Sequence, residues 1–157
     1  MDEIQIKRLL VKDEFTKNNF AGVYARTHVT LTHNLPAIYV INLDNYGAPG
    51  FHWIAVYVNE KIIYIFDSFG GNFLNDSMFA SFIQYCRKYN QKIISSPIAI
   101  QSPFGSTCGL YCVLFAMIIS RGYSFSDFIK IFQHNDPKVN DQAIITYFEK
   151  HYNIVLN

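Results

Sequence analysis

A surplus of charge is missing from this sequence. Thirteen Lys and Arg stand against 12 Asp and Glu, a formal net charge of +1, so whole-chain charge gives no argument for nucleic-acid binding. Local clusters such as Arg87-Lys88 with Lys92, and Lys7-Arg8 with Lys12, are what a solvated surface carries. Long apolar runs are lacking too: the longest, residues 113–119, is far short of the roughly 20 residues that cross a bilayer. No N-terminal segment joins a basic region to a long apolar stretch and a cleavage site, so no membrane partner is expected. Cysteines are few, three with no regular spacing, which argues for free thiols in a reducing, intracellular setting. Cys108 and Cys112 lie four apart, Cys86 stands alone and the five His show no paired ligand spacing, so no metal site is expected. A phosphate-cradling glycine loop, a dinucleotide fingerprint, internal repeats and low-complexity linkers are likewise absent. A single domain over residues 1–157 follows, and nothing calls for more than a monomer.

Core-forming material is plentiful. Half of the residues are hydrophobic and 17% are aromatic, with 14 Phe and 11 Tyr, so one core that buries roughly two-thirds of the unfolded chain's surface is expected. Residues 2–11 pattern as an amphipathic helix through Ile4, Ile6, Leu9 and Leu10, and residues 15–27 read as irregular. Strands are expected at 37–43, 52–58, 62–67 and 92–101, and a helix at 77–89 with Phe79, Phe82, Ile83 and Cys86 on its apolar face. Residues 108–120 are hydrophobic nearly all round, as a buried central helix would be, and Gly122 stops them. Ser124 with Asp127 approximates a capping box for a helix through Phe132, and Asn140 is positioned to cap a last helix.

The residues that carry chemistry sit at the ends of these elements. Cys108 opens the central helix, where unpaired N–H groups and the positive end of the macrodipole favour a thiolate. The Gly105-Ser106-Thr107 turn before it permits close approach. His52 begins a strand, and if Asn59 and Glu60 form a two-residue hairpin loop, His52 lies directly opposite Asp67, within side-chain reach. A carboxylate there would fix one imidazole tautomer and stabilise the imidazolium. Gln101, seven residues before Cys108, can donate with the Cys108 N–H to an oxyanion. Gly50, Phe51 and Trp53 flank His52 and are candidates to line a substrate cleft.

Phe51-His52-Trp53, Tyr64-Ile65-Phe66-Asp67-Ser68-Phe69-Gly70, Gln101-Ser102-Pro103 and Cys108-Gly109-Leu110-Tyr111-Cys112, in that order, resemble the adenain family of adenovirus maturation proteases and its virophage and polinton-type relatives. The order His, acid, Gln, Cys is also that of the wider ubiquitin-like-protein protease clan. Phe20-Ala21-Gly22-Val23-Tyr24 looks like the family's segment upstream of the histidine, and Asp141 to Tyr152 like its last helix. The resemblance implies an α+β, papain-like fold, a mixed β-sheet packed on a buried central helix with the nucleophilic Cys at its N-terminus. It implies a cysteine endopeptidase with Cys108 as nucleophile, His52 as base, Asp67 as orienting acid and Gln101 as oxyanion donor. Its substrates would be viral capsid and core precursors cleaved at Gly-Gly or Gly-X sites, in the virion and the infected cell. The clan's other expectation is a deconjugase of ubiquitin-like modifiers, and since adenain has Glu where these have Asp, Asp67 does not separate the two. The chemistry needs no cofactor. Adenain is activated by a disulfide-linked peptide and by DNA, but no cysteine here clearly matches the peptide-linking one, Cys86 falling on the preceding helix.

Overall fold

A computed structural model describes residues 1–30, 32, 34–44, 52–71, 80, 84–85 and 92–154. These form an α+β structure with helices α1 (Glu3–Lys12), α2 (Cys108–Ser120), α3 (Phe125–Ile129) and α4 (Pro137–Tyr152). Five strands, β1 (Phe20–Ala25), β2 (Ala37–Asn42), β3 (Trp53–Val58), β4 (Ile62–Phe66) and β5 (Lys92–Ser95), make one sheet in that spatial order. The sheet is mixed: β1 and β2 are parallel, as are β4 and β5, while β3 runs antiparallel to β2 and β4.

The central helix follows from its composition. With ten of its thirteen residues buried, α2 has no polar face to give to water and lies inside. Val40, Trp53 and Ala55 from the sheet, Ile6 and Leu10 from α1, and Phe128, Ile144 and Phe148 from α3 and α4 share its core. Phe66 stacks on Phe115 with centroids 5.0 Å apart, and Phe128 meets both edge-on at 5.0 and 5.3 Å, the offset and T-shaped geometries that aromatic quadrupoles favour. A second cluster, Tyr39, Ile41, Ile54, Val56, Ile63 and Ile65, lies on the other side of the sheet, which is why all six residues of β2 are buried.

Several expectations are corrected. Residues 15–27 are not irregular throughout: 15–19 are turns, but Phe20–Ala25 form β1, which pairs with β2 across a register shift between Phe20 and Gly22; the irregular strand masks the alternation a sequence reader looks for. The last strand stops at Ser95 rather than 101. In α1 the capping box of Asp2 and Gln5 is present, but Ile4 is 77% exposed and only Ile6, Leu9 and Leu10 are buried. The Ser124–Asp127 capping box forms, yet α3 ends at Ile129. The cap of α4 is Asp136 with Pro137 in the first turn, not Asn140. Asn140 is buried one turn further in, donating to the Ile100 and Gln133 carbonyls at 2.9 and 2.7 Å. Most of the helix expected at 77–89, Cys86 included, lies outside the described residues.

The hairpin joins β3 to β4 in a different register from the one expected. Val58 pairs with Ile63, not Lys61, and Ala55 with Phe66. Asn59 sets this register: its Oδ1 accepts from both Lys61 N and Ile62 N at 2.8 Å, and its own N–H donates to Ile62 O at 3.0 Å. This is Asx-turn chemistry, which puts Glu60 and Lys61 at the tip. A slip of two residues keeps each side chain on its own face, so the core pattern is unaffected.

Candidate active site

Three chain ends converge beside the N-terminus of α2: the entry to β3, the exit from β4 and the loop after Ile100. Cys108 is the first residue of α2, 5% exposed. The cap residue Thr107 makes no side-chain cap bond to the helix, and its hydroxyl donates instead to Asp141 at 3.1 Å. The first N–H groups of α2 are therefore left without a side-chain cap, with the macrodipole's positive end beside the sulfur. Cys112, one turn on, is fully buried, and burial together with the nearby Cys108 and Asp67 charges pushes its thiol well above the ordinary range. Of the two described cysteines, only Cys108 stands at the first position of the helix.

Asp67 directly follows β4 and is 3% exposed. Its carboxylate is well supplied with donors: Oδ1 accepts from His52 Nε2 at 2.7 Å and Phe69 N at 2.9 Å, and Oδ2 accepts from Gly71 N at 2.9 Å. The returning turn, closed by Gly70 N to Asp67 O at 3.0 Å with Gly70 at φ +74°, brings those amides round. An acid can end an apolar strand because these bonds replace its water.

The His52–Asp67 contact was expected from direct pairing and arises otherwise. Continuing the observed register sets His52 against Phe69, and those rings do meet, with centroids 4.7 Å apart. Asp67 is thus the diagonal neighbour, reached because both residues lie just beyond the strand ladder.

A carboxylate only accepts, so Nε2 carries a hydrogen and Nδ1 is left for a second partner. Nδ1 is buried and makes no hydrogen bond of ordinary geometry among the described residues, yet the Cys108 thiol acts on the ring. Burial works against the charged imidazole, but the Asp67 hydrogen bond and then Cys108 override it and raise the His52 pKa from 6.5 to about 9. At neutral pH His52 is an imidazolium held between a carboxylate and a sulfur.

Gln101 is 1% exposed, just beyond β5 in the chain. Its Nε2 donates to Gly105 O at 2.7 Å and its Oε1 accepts from Ser68 Oγ at 2.6 Å. Because a carbonyl can only accept, Gly105 fixes which end of the amide faces the loop, and a second Nε2 hydrogen remains. Ser68 also accepts from Ile100 N and Gln101 N through its carbonyl, at 2.9 and 3.1 Å. Consecutive residues thus hold two candidate site side chains, Asp67 the histidine and Ser68 the glutamine.

Trp53, a candidate for a substrate cleft, is 5% exposed in the α2 core, and its indole N–H donates to Met1 O at 3.2 Å. Gly50 and Phe51 lie outside the described residues. Sequence reasoning missed Ser68 and Asp141, because an isolated serine or aspartate carries no periodic signal and their side-chain partners are 30 to 39 residues away. Among the described residues no cluster of His, Cys, Asp and Glu could hold a metal ion, and no helix is long and apolar enough to cross a membrane.

No protein-family model matches the sequence, and no curated protein matches it. Among solved structures the chain is similar to the ASFV pS273R protease, at 18% identity and a TM-score of 0.49, over 64% of this chain and 40% of that one. It is also similar to the central domain of the uncharacterized Lpg1148 protein from Legionella pneumophila, at 12% identity and a TM-score of 0.48, over 92% and 98% of the two chains. The chain therefore spans 40% of the length of the first of these. At TM-scores below 0.5 neither likeness speaks to chemistry.

Proposed function

We propose that this chain is a cysteine endopeptidase, viral or virus-like, that processes capsid and core precursors at small-residue sites. The observation that carries the reading is the His52 imidazole bonded to Asp67 at 2.7 Å and raised to about 9 by that carboxylate and the Cys108 thiol together, against its own burial. The imidazolium favours the thiolate of Cys108, which attacks the scissile carbonyl. The tetrahedral oxyanion takes the Cys108 N–H and the remaining Nε2 hydrogen of Gln101. His52 then gives its proton to the leaving amine, takes one from water, and the hydroxide releases the acyl group from sulfur.

Nucleophile, base, orienting acid and oxyanion donor all come from the chain, so this chemistry calls for no added cofactor. Viral precursors as substrates, an activating peptide or DNA, and a virion or infected-cell setting rest on the adenain resemblance alone.

The test pairs wild type with Cys108→Ala on a capsid precursor and on a quenched peptide containing Gly-Gly-X. Wild type cleaves and the variant does not; equal cleavage by both removes Cys108 as nucleophile. Release of a diglycine-ended modifier from a conjugate, with the capsid precursor left whole, would move the substrate to the deconjugase class and keep the chemistry.

A further inference from the structure

One buried carboxylate has no part in the chemistry above. Asp141 on α4 is 9% exposed, and among the described residues no basic side chain lies within ion-pair distance of it. Its oxygens accept from Ser102 N at 3.2 Å, Thr107 Oγ1 at 3.1 Å and Tyr111 OH at 2.9 Å. Burial, then the Asp141 charge and hydrogen bond, drive the Tyr111 pKa upward.

Two of these donors bracket the loop between Gln101 and Cys108. Between them Gly105 comes so close that a Cβ there would stand 2.7 Å from Asp141 Oδ2 and 3.2 Å from Gln101 Nε2. The loop is a turn closed by Gly105 N to Ser102 O at 2.9 Å. Pro103 follows Ser102 and presets the backbone for it. The Gly105 carbonyl leaving this turn is the one that fixes the Gln101 amide, and Thr107 at its far end is the residue from which α2, and with it the Cys108 N–H, departs.

We infer that Asp141 is a positioning residue for the oxyanion donors: it pins the loop at Ser102 and Thr107, and so aims both the Gln101 amide and the Cys108 N–H. This rests on the protease reading. An acceptor-only group suits three converging donors, and charge-assisted bonds are roughly twice as strong as neutral ones. The positive end of α2, at Thr107, offsets the burial of a charge that lacks a cation. Docking of α4 does not need Asp141, since Ile144 and Phe148 are in the core and Asn140 separately ties α4 to Ile100 and Gln133.

Two variants test this, read on kcat and KM for the Gly-Gly-X peptide and on the pH profile of Cys108 alkylation by iodoacetamide. Alkylation displaces iodide at carbon and forms no oxyanion, so it reports the thiolate–imidazolium pair alone. Asp141→Ala is expected to lower kcat about 10²-fold, the cost of losing an oxyanion donor, with a much smaller change in KM. Gly105→Ala, which keeps the buried carboxylate and crowds the contact between it and the loop, is expected to lower kcat about tenfold through misplacement alone. In both, the alkylation profile stays on that of wild type. A folded variant of either kind with kcat within about threefold of wild type overturns the inference. So does a parallel loss of alkylation, which would mark a general structural role. Peptide cleavage by Cys108→Ala at the wild-type rate would remove the protease reading, and this inference with it.

Discussion

The N-terminal end of α2 and its stretch around Phe115 are built from opposite materials. Around Cys108 lie Asp67, Ser68, Ser96, Gln101, Ser102, Thr107, Asn140 and Asp141, eight of the eleven buried polar residues described. Around Phe115, about two turns along the same helix, the neighbours are Phe66, Phe125 and Phe128. Apolar packing is non-directional and tolerates repacking, whereas a buried polar network holds its members in one geometry only if every donor and acceptor is matched. The phenylalanine end keeps the helix in place, and the polar end keeps the site in shape. Changes at the first should therefore alter stability without chemistry, and changes at the second chemistry ahead of stability.

The sharpest break falls on the polar end. Cys108→Ala should lower kcat/KM by at least about 10⁴-fold, as removing a nucleophile does, with a thermal melt close to wild type because the side chain is small. Asp67→Asn should come next, at about 10²- to 10⁴-fold in kcat, and it carries a pH signature. The His52 pKa is raised from 6.5 to about 9 in the folded state, so its contribution to stability is complete below 6.5 and is lost as pH rises through about 9. Wild-type kcat/KM should fall along an alkaline limb near 9, a value that belongs to the coupled His52–Cys108 pair. In Asp67→Asn that limb should move toward 6.5, and urea melts should show the variant's deficit at pH 6 shrinking by pH 9.5. A limb that stays near 9 in the variant would remove Asp67 as the partner that sets it.

How these two ends look from the sequence differs for the same reason. The apolar end is periodic: an all-round hydrophobic stretch read directly as the buried helix at 108–120, with both boundaries matched and Gly122 at φ +89° beyond it. Helix and strand ends also marked Cys108, His52 and Asp67, and the structure brings Asp67 onto His52. Yet the hairpin register behind that contact was two residues out, because Asn59 uses its side chain to close the turn and moves the tip to Glu60 and Lys61. What the sequence did not disclose was the polar network beneath the site. Ser68 to Gln101 spans 33 positions and Asp141 to Ser102 spans 39, and no periodicity links residues joined only by tertiary hydrogen bonds. Asn140 differs for a related reason: an asparagine near a helix start reads as a cap, while here it ties α4 to Ile100 in the loop that leads to Cys108.

The phenylalanine end should respond in the other currency. Phe128 is fully buried and packs edge-on against Phe66 and Phe115, so Phe128→Ala should cost about 3–5 kcal/mol of stability, read as a lower denaturation midpoint. At a temperature where the variant is still folded its kcat should match wild type; a kcat lowered in proportion to stability would dissolve the distinction between the two ends. A smaller effect is expected from Ser68→Ala, which removes only the donor to Gln101 Oε1. The amide keeps Gly105 O as acceptor, so kcat should fall about tenfold, within the cost of one imperfectly placed donor. The alkylation rate of Cys108 should not change.

The smallest effect tests whether the far end of α2 carries any chemistry at all. Arg121 caps the helix, donating to Asp13 at 2.6 and 3.2 Å and to the Met117 carbonyl at 2.7 Å, with its guanidinium 4.6 Å from the Phe15 ring centroid. This is a bidentate pair placed at the favourable end of the macrodipole. Its side chain is nevertheless a third exposed, and Asp13 keeps Thr16 N and Oγ1 as donors at 2.9 and 2.7 Å, so removing Arg121 does not strand a buried carboxylate. Arg121→Met should therefore cost no more than about 1 kcal/mol after solvent screening. Burial would raise the Asp13 pKa, but the Arg121 and Thr16 hydrogen bonds outweigh it and hold the carboxyl below 3.8. A depressed acid contributes stability above its unfolded value and loses it as pH falls through the folded one. The gap between wild type and variant should accordingly be present at pH 7, close below pH 3.8, and narrow in high salt. Because no part of this clamp reaches the Cys108 end, kcat/KM should be unchanged at every pH where both proteins are folded.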